Sequence, residues 1–157
     1  MLYYQGYTVS FQEVPDEISL VISIADCPHR CPGCHSPQLQ KPEGRNLLPD
    51  LPKMIQEYGD VITCVCFMGE GQDDMALSIC HDFVKSLGYK TCMYAGGANL
   101  HGCDWDYFKA GPYVESRGPL TSRTTNQRMF RFDWTAKSPD EGVIDITDRF
   151  WNKSIPL

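Results

Sequence analysis

The sequence predicts an α/β fold, an incomplete barrel that is open on one side and is formed by a single domain over residues 1–157. Three observations predict it. The length of 157 residues is that of one domain. Residues 17–25 and 61–67 are short runs rich in branched apolar residues, as is typical of buried strands. A helical pattern over residues 73–87 precedes a third strand-like run at 89–95, and this order indicates a parallel crossover.

The predicted elements follow one another without an interdomain linker. The strand at 17–25 ends just before Cys27. Residues 28–52 contain six prolines, which cannot sustain a long helix or a central strand, so we predict a loop followed by a short helix at about 49–58. Residues 107–111 and 128–134 are weaker candidate strands.

The helix predicted over residues 73–87 has an apolar side and a stop at Gly88. We expect that side to face the core, and its members are Met75, Ile79, Phe83 and Leu87. Ligands gather at the carboxyl ends of parallel strands. Cys27, Gly69-Glu70 and residues 94–97 all fall at such ends, so we expect them to meet at one edge of the sheet.

Composition narrows the classes of function. Hydrophobic residues make up 42% and charged residues 22%, which is typical of a folded domain. A net charge of -6 provides no basic face for phosphates, so no nucleic-acid partner is expected. The longest apolar stretch, residues 18–25, is too short for a membrane span, and the N-terminus lacks a signal-peptide pattern. We therefore expect a cytoplasmic protein without a membrane partner.

Eight cysteines in such a chain point to metal ligation and buried thiols rather than to disulfides. Cys27, Cys31 and Cys34 lie within eight residues. Three thiolates at this spacing can hold three corners of a 4Fe-4S cluster and leave the fourth iron open. The alternatives are a zinc site completed by His29 or His35, or an electron-transfer cluster with a fourth cysteine. Zinc motifs usually pair two close ligands with two distant ones, which this spacing fits poorly.

The remaining thiols are explained as small buried side chains of the predicted strands and helix. These are Cys64, Cys66, Cys80 and Cys92. Cys103, after a glycine-rich segment, is either a plain loop residue or a reactive thiol. His29 and His35 flank the three-cysteine loop and either donate a hydrogen bond to a sulfur or ligand, or pack within the loop.

The three-cysteine arrangement resembles the motif of the radical S-adenosylmethionine superfamily, and further motifs make the chain similar to the activating enzymes of anaerobic ribonucleotide reductases. These motifs are Gly69-Glu70, Tyr94-Ala95-Gly96, Gly111-Pro112-Tyr113 and Thr125-Asn126-Gln127-Arg128. Two positions depart from the superfamily. Gly33 stands where most members have an aromatic residue, which the activase subgroup tolerates, and Met68-Gly69-Glu70-Gly71 replaces the usual Gly-Gly-Glu-Pro.

The resemblance implies a radical S-adenosylmethionine barrel and two cofactors, a 4Fe-4S cluster and S-adenosyl-L-methionine. It makes Cys27, Cys31 and Cys34 the cluster ligands. It assigns S-adenosylmethionine binding to Gly33, Cys34, Gly69, Glu70, Tyr94, Gly96 and Asn126. Glu70 would carry negative charge toward the ammonium group of the ligand, whereas the alternative is a solvated loop carboxylate. Asn126 would bind a carboxylate or the partner's backbone, with turn stabilisation as its alternative.

The implied reaction is reductive cleavage of S-adenosylmethionine to methionine and a 5′-deoxyadenosyl radical. That radical takes a hydrogen from a glycine of the large subunit of anaerobic ribonucleotide reductase, and an external donor such as a flavodoxin supplies the electron. One alternative is a small radical S-adenosylmethionine enzyme acting on a small molecule, as in deazapurine ring synthesis, which leaves residues 125–128 unexplained. Another is a non-catalytic iron-sulfur or zinc interaction module.

Overall fold

A computed structural model describes residues 1–34, 36–138 and 140–151 and gives a mixed α/β fold. Within these ranges there are two α-helices and one eight-stranded sheet. The helices are α1 (Leu47–Tyr58) and α2 (Asp74–Ser86). The strands are β1 (Tyr3–Ser10), β2 (Ser19–Ile24), β3 (Arg45–Asn46), β4 (Cys64–Met68), β5 (Lys90–Tyr94), β6 (Tyr107–Ala110), β7 (Arg128–Phe132) and β8 (Val143–Asp145). Neither helix is long and apolar enough to cross a membrane.

The strand order is β3-β1-β2-β4-β5-β6-β7-β8. The four central strands, β2, β4, β5 and β6, run parallel, and the outer strands pair antiparallel. The parallel pairing of β4 and β5 around α2 confirms the predicted strand, helix and strand unit. Because β3 and β8 lie at opposite ends of the order, the described sheet is open. An open sheet is compatible with an incomplete barrel, and the radical S-adenosylmethionine form of that fold stays a prediction.

The sequence missed the first and last strands. In β1 only Tyr4 is buried, so its apolar residues do not alternate along the chain. β8 has three residues, none of them buried. Both strands are held by pairing with a neighbour rather than by an apolar face of their own. The long loop also contains two short elements that were not predicted, a 3-10 helix at Pro37–Gln40 and β3.

Each face of the sheet has its own core. The helices cover one face, where Ile22, Phe67 and Met93 pack with helix residues. On the opposite face the thiols of Cys64, Cys66 and Cys92 pack with Val14 and Leu120 from loops. Successive residues of a strand point to opposite faces, and the register pairs Cys66 with Cys92. The prediction that the thiols of β4 and β5 are buried is therefore confirmed.

The predicted apolar side of α2 is wrong. Met75 is 77% exposed, Ile79 51% and Leu87 49%, while Phe83 is only partly buried. The residues that face the core are Ala76, Leu77, Cys80, His81 and Val84. Both sets of residues follow helical spacing, so the period alone could not choose between them. In the observed orientation of α2, the ring of His81 packs edge-on against buried Trp105, with the ring centroids 4.7 Å apart.

Candidate functional site

Four loops meet at the carboxyl edge of the parallel strands and enclose a cavity of about 170 Å³. The loops follow β2, β4, β5 and β6, because parallel strands end at the same edge. Most of the site residues predicted from sequence line this cavity: Cys27, Cys31, Cys34, Gly69, Glu70, Tyr94 and Gly96. The expectation that these strand ends converge is thus confirmed.

Backbone hydrogen bonds hold the three-cysteine loop in place. The N–H of Cys27 donates to the carbonyl of Leu39 at 2.9 Å, and the N–H of Cys34 donates to the carbonyl of Cys31 at 3.1 Å. The N–H of Ser36 points to the Cys34 sulfur at 3.4 Å. All eight cysteines are free thiols, and the three on this loop are the ones that are partly exposed. They are available to a metal group, whereas the other five are buried.

The three sulfurs do not form a compact ligand set for a single ion in this structure. Zinc holds each thiolate at about 2.3 Å, so two sulfurs on one zinc ion lie no more than about 4.6 Å apart. Among the described residues, the only group with three ligand atoms all within 4.8 Å of one another is His81, Asp82 and Asp104. The sulfurs of Cys27, Cys31 and Cys34 are therefore spread more widely than one ion requires. A cubane binds each thiolate at a different iron and so suits wider spacing.

Glu70 is a buried carboxylate, 4% exposed, so the alternative of a solvated loop residue is wrong. Its Oε2 accepts the N–H of Gly96 at 3.1 Å and lies 2.5 Å from His29 Nε2. Its Oε1 lies 2.7 Å from His101 Nε2. Burial raises the pKa of Glu70, but the hydrogen bonds from His101, Gly96 and His29 outweigh it and leave that pKa below its usual value. Glu70 therefore holds a negative charge inside the cavity wall.

Gly96 and Gly69 allow close packing at this edge. A Cβ atom on Gly96 would lie 2.7 Å from Cγ of His29, so the histidine ring packs directly on the glycine backbone. Gly69 has φ +122°, and a Cβ atom there would lie 2.8 Å from the carbonyl oxygen of Ile24. Gly71 has φ +63°, which proline cannot adopt. The replacement of the usual proline by Gly71 thus corresponds to a different backbone path.

His101 was missed by sequence reasoning, because the pattern weakens beyond Gly97 and no motif includes this residue. Its side chain is 8% exposed and connects two carboxylates. Nε2 faces Glu70, and Nδ1 lies 2.9 Å from Oδ1 of Asp74 in the first turn of α2. The chain Asp74, His101, Glu70 and His29 therefore connects helix α2 with the three-cysteine loop.

Lys109 was also missed. It lies on β6, is 9% exposed and lines the cavity with the three thiols. Its Nζ donates to the carbonyls of Ala95 and Gly111, both at 3.0 Å. Burial lowers the pKa of Lys109 to about 8, and the thiols of the cysteine loop and Glu70 oppose that shift. A single charged residue in an otherwise apolar candidate strand was the available signal.

Two predicted positions, Gly33 and Asn126, stand apart from the lining of this cavity. Gly33 has φ +73°, and a Cβ atom there would lie 2.8 Å from the carboxyl carbon of Glu115, which explains the absence of an aromatic residue. Asn126 donates to the carbonyl of Pro112 at 3.1 Å, and its neighbour Gln127 lines the cavity instead. The buried amide oxygen of Asn126 has no partner among the described residues. His35 lies outside the described residues.

A second cavity of about 350 Å³ adjoins the first. The two share six lining residues, among them Cys34, Tyr94 and Lys109, while Leu120 and Phe150 line only the larger one. The Tyr94 hydroxyl donates to the carbonyl of Glu13 and so fixes this ring at the boundary between the cavities. The site thus has an inner chamber beside the thiols and a wider outer chamber.

Cys103 does not show the environment of a reactive thiol. Its side chain is buried, and burial raises its pKa above the usual value for cysteine. A raised pKa lowers the thiolate fraction that reacts. The plain structural interpretation of Cys103 is therefore the better one.

Comparison with protein-family models, with curated proteins and with solved structures found no match for this chain.

Proposed function

We propose that this chain is a radical S-adenosylmethionine activase that generates a glycyl radical on the large subunit of anaerobic ribonucleotide reductase. The observation that carries the proposal is the convergence of three free, partly exposed thiols at the carboxyl edge of four parallel strands. A buried carboxylate and a buried ammonium line the same cavity, which gives it two fixed charges. Motif and geometry therefore favour the same site.

The donor set fits a 4Fe-4S cluster with one open iron. Cys27, Cys31 and Cys34 would be its ligands, because three closely spaced thiolates can hold three corners of a cubane and leave the fourth iron open. When bound, the reduced cluster supplies the electron that cleaves S-adenosylmethionine to methionine and a 5′-deoxyadenosyl radical. The N–H of Ser36, which points to the Cys34 sulfur, would stabilise negative charge on that ligand.

The residues around the thiols would bind S-adenosylmethionine. A carboxylate offers about four lone-pair sites, and Glu70 uses three of them for His29, His101 and Gly96. One site is left for the ligand's ammonium group. Gly69, Tyr94 and Gly96 would contact the ligand along the strand ends.

The outer chamber supports a macromolecular substrate. Its lining includes apolar side chains such as Leu120 and Phe150, and it opens beside Cys34. A radical at this place must be shielded from water and stray hydrogen donors. A glycine loop of the reductase would provide that cover, and an external donor such as a flavodoxin would supply electrons. Eight free thiols suit the cytoplasm, where we place the reaction.

The proposal is tested by anaerobic reconstitution with iron and sulfide of the wild type and two cysteine variants. Cys31→Ala should lose the cluster, because two remaining thiolates leave two irons without protein ligands. Cys66→Ala removes a buried thiol from β4 and should keep the cluster at a cost of about 1 kcal/mol in packing. Iron content, the cluster absorption and 5′-deoxyadenosine formed after reduction are the measurements.

The expected result is 5′-deoxyadenosine from the wild type and Cys66→Ala, and none from Cys31→Ala. A full cluster in Cys31→Ala would refute the ligand assignment. A wild type that binds iron and sulfide but releases no 5′-deoxyadenosine would identify a non-catalytic iron-sulfur module. Binding of one zinc ion in place of the cluster would also contradict the proposal, because it would identify a zinc module.

A further inference from the structure

Lys109 is a buried cation without a carboxylate partner. It is 9% exposed, and both of its hydrogen bonds run to backbone carbonyls, those of Ala95 and Gly111. No ion pair involves it among the described residues. A buried charge is costly unless an opposite charge compensates it. The fold therefore maintains an ammonium group whose counter-charge has to come from the cavity.

The three-cysteine loop would bring that negative charge into the cavity when its thiols bind a metal group as thiolates. Cys27, Cys31 and Cys34 line it together with the Lys109 side chain. Glu70 and the three cysteines in their thiolate form favour the charged form of Lys109 and so raise its pKa, Cys31 most strongly. Glu70 is already engaged by two histidines and a backbone N–H. As thiolate ligands of a metal group, the three cysteines would therefore supply the negative charge that Lys109 lacks among its hydrogen-bond partners.

On the proposed function, three thiolates and a 4Fe-4S cluster carry a net charge of about −1 when oxidised and about −2 when reduced. We propose that Lys109 stabilises the reduced cluster and so raises its reduction potential. The step is the gain of one electron from an external low-potential donor, with no bond formed and no proton transferred. A fixed cation in a dry cavity favours the extra negative charge, because the interaction is weakly screened there.

The test is a redox titration of the reconstituted protein at pH 7 without S-adenosylmethionine, followed by cluster absorption and electron paramagnetic resonance. Lys109→Gln removes the charge and keeps a donor for the carbonyls, and Lys109→Met is a second neutral variant. Lys109→Arg keeps the charge. Lys90→Met is the matched control, since Lys90 is a half-exposed strand lysine paired with Glu17 at 3.4 Å.

We expect the neutral variants to lower the reduced-to-oxidised ratio at a fixed potential by about tenfold, which corresponds to about 59 mV for a one-electron couple. Lys109→Arg and Lys90→Met should stay near the wild type. An unchanged potential in Lys109→Gln and Lys109→Met would overturn the inference. So would equal shifts in Lys109→Gln and Lys109→Arg, which would indicate a role in shape rather than charge.

The result also separates this inference from the function on which it rests. If the wild type assembles no cluster, the proposed function fails and Lys109 has no redox role. If the neutral variants keep the wild-type potential but bind S-adenosylmethionine more weakly, the proposed function stands and the redox role is refuted. In that case the counter-charge would be the ligand's carboxylate.

Discussion

At the scale of single residues, Glu70 is the centre of the site's polar contacts. Its two carboxylate oxygens meet His29 from the three-cysteine loop, and His101 and the backbone of Gly96 from the loop after β5. A buried carboxylate is stabilised when hydrogen bonds favour its charged form. Glu70 therefore joins the three-cysteine loop to the loops after β4 and β5.

Glu70→Gln should lower the affinity for S-adenosylmethionine by roughly 10- to 100-fold while the cluster is retained. A charge-assisted hydrogen bond contributes about 1.5 to 3 kcal/mol, and the amide preserves shape while losing charge. Anaerobic equilibrium titration of the reconstituted protein measures the affinity. Glu57→Gln, at an exposed position of α1, is the control and should bind as the wild type does. Equal affinities for all three proteins would make Glu70 a bystander of ligand binding.

At the scale of elements, α2 shows why helical periodicity alone misplaced a face. The helix has two apolar stripes, one through Met75 and Ile79 and one through Leu77, Cys80 and Val84. Only the second stripe reaches the sheet. Orientation depends on which stripe finds a complementary surface, and that surface is built by β4, β5 and the loop carrying Trp105. Such contacts are remote in sequence and leave no local signal.

The two stripes are distinguished by a matched pair of truncations. Leu77→Ala should reduce the free energy of unfolding by about 2 to 5 kcal/mol, because it leaves a cavity in the core. Ile79→Ala, at a side chain that is 51% exposed, should cost less than about 1 kcal/mol. Urea unfolding of the two variants supplies the comparison. Similar losses, or a larger loss for Ile79→Ala, would mean that α2 packs through its other face.

At the scale of the whole molecule, the site is a consequence of four adjacent parallel strands. Parallel pairing brings segments that are distant in sequence, the loops at Cys27, Glu70, Gly96 and Gly111, to one edge. The outer strands pair antiparallel and widen the sheet on both sides of the parallel strands. The two chambers therefore lie where the central strands end.

Sequence could predict the parts of this site that rest on short-range pattern. The spacing of Cys27, Cys31 and Cys34 and the strand-like runs before them are local features, and so is the glycine beside Glu70. Lys109 and His101 could not be found in this way. Lys109 becomes a site residue only because β6 pairs beside β5, and His101 only because its loop folds back over Glu70.

The central claim is that this protein converts a glycine of its partner into a radical. The most direct measurement mixes the reduced, reconstituted protein with S-adenosylmethionine and an anaerobic ribonucleotide reductase, and records the electron paramagnetic resonance spectrum. We expect a doublet that grows on the reductase, and no doublet with Cys31→Ala or with a reductase whose target glycine is replaced by alanine. S-adenosylmethionine cleaved at the same slow rate with or without the reductase, and no doublet on the reductase, would contradict it.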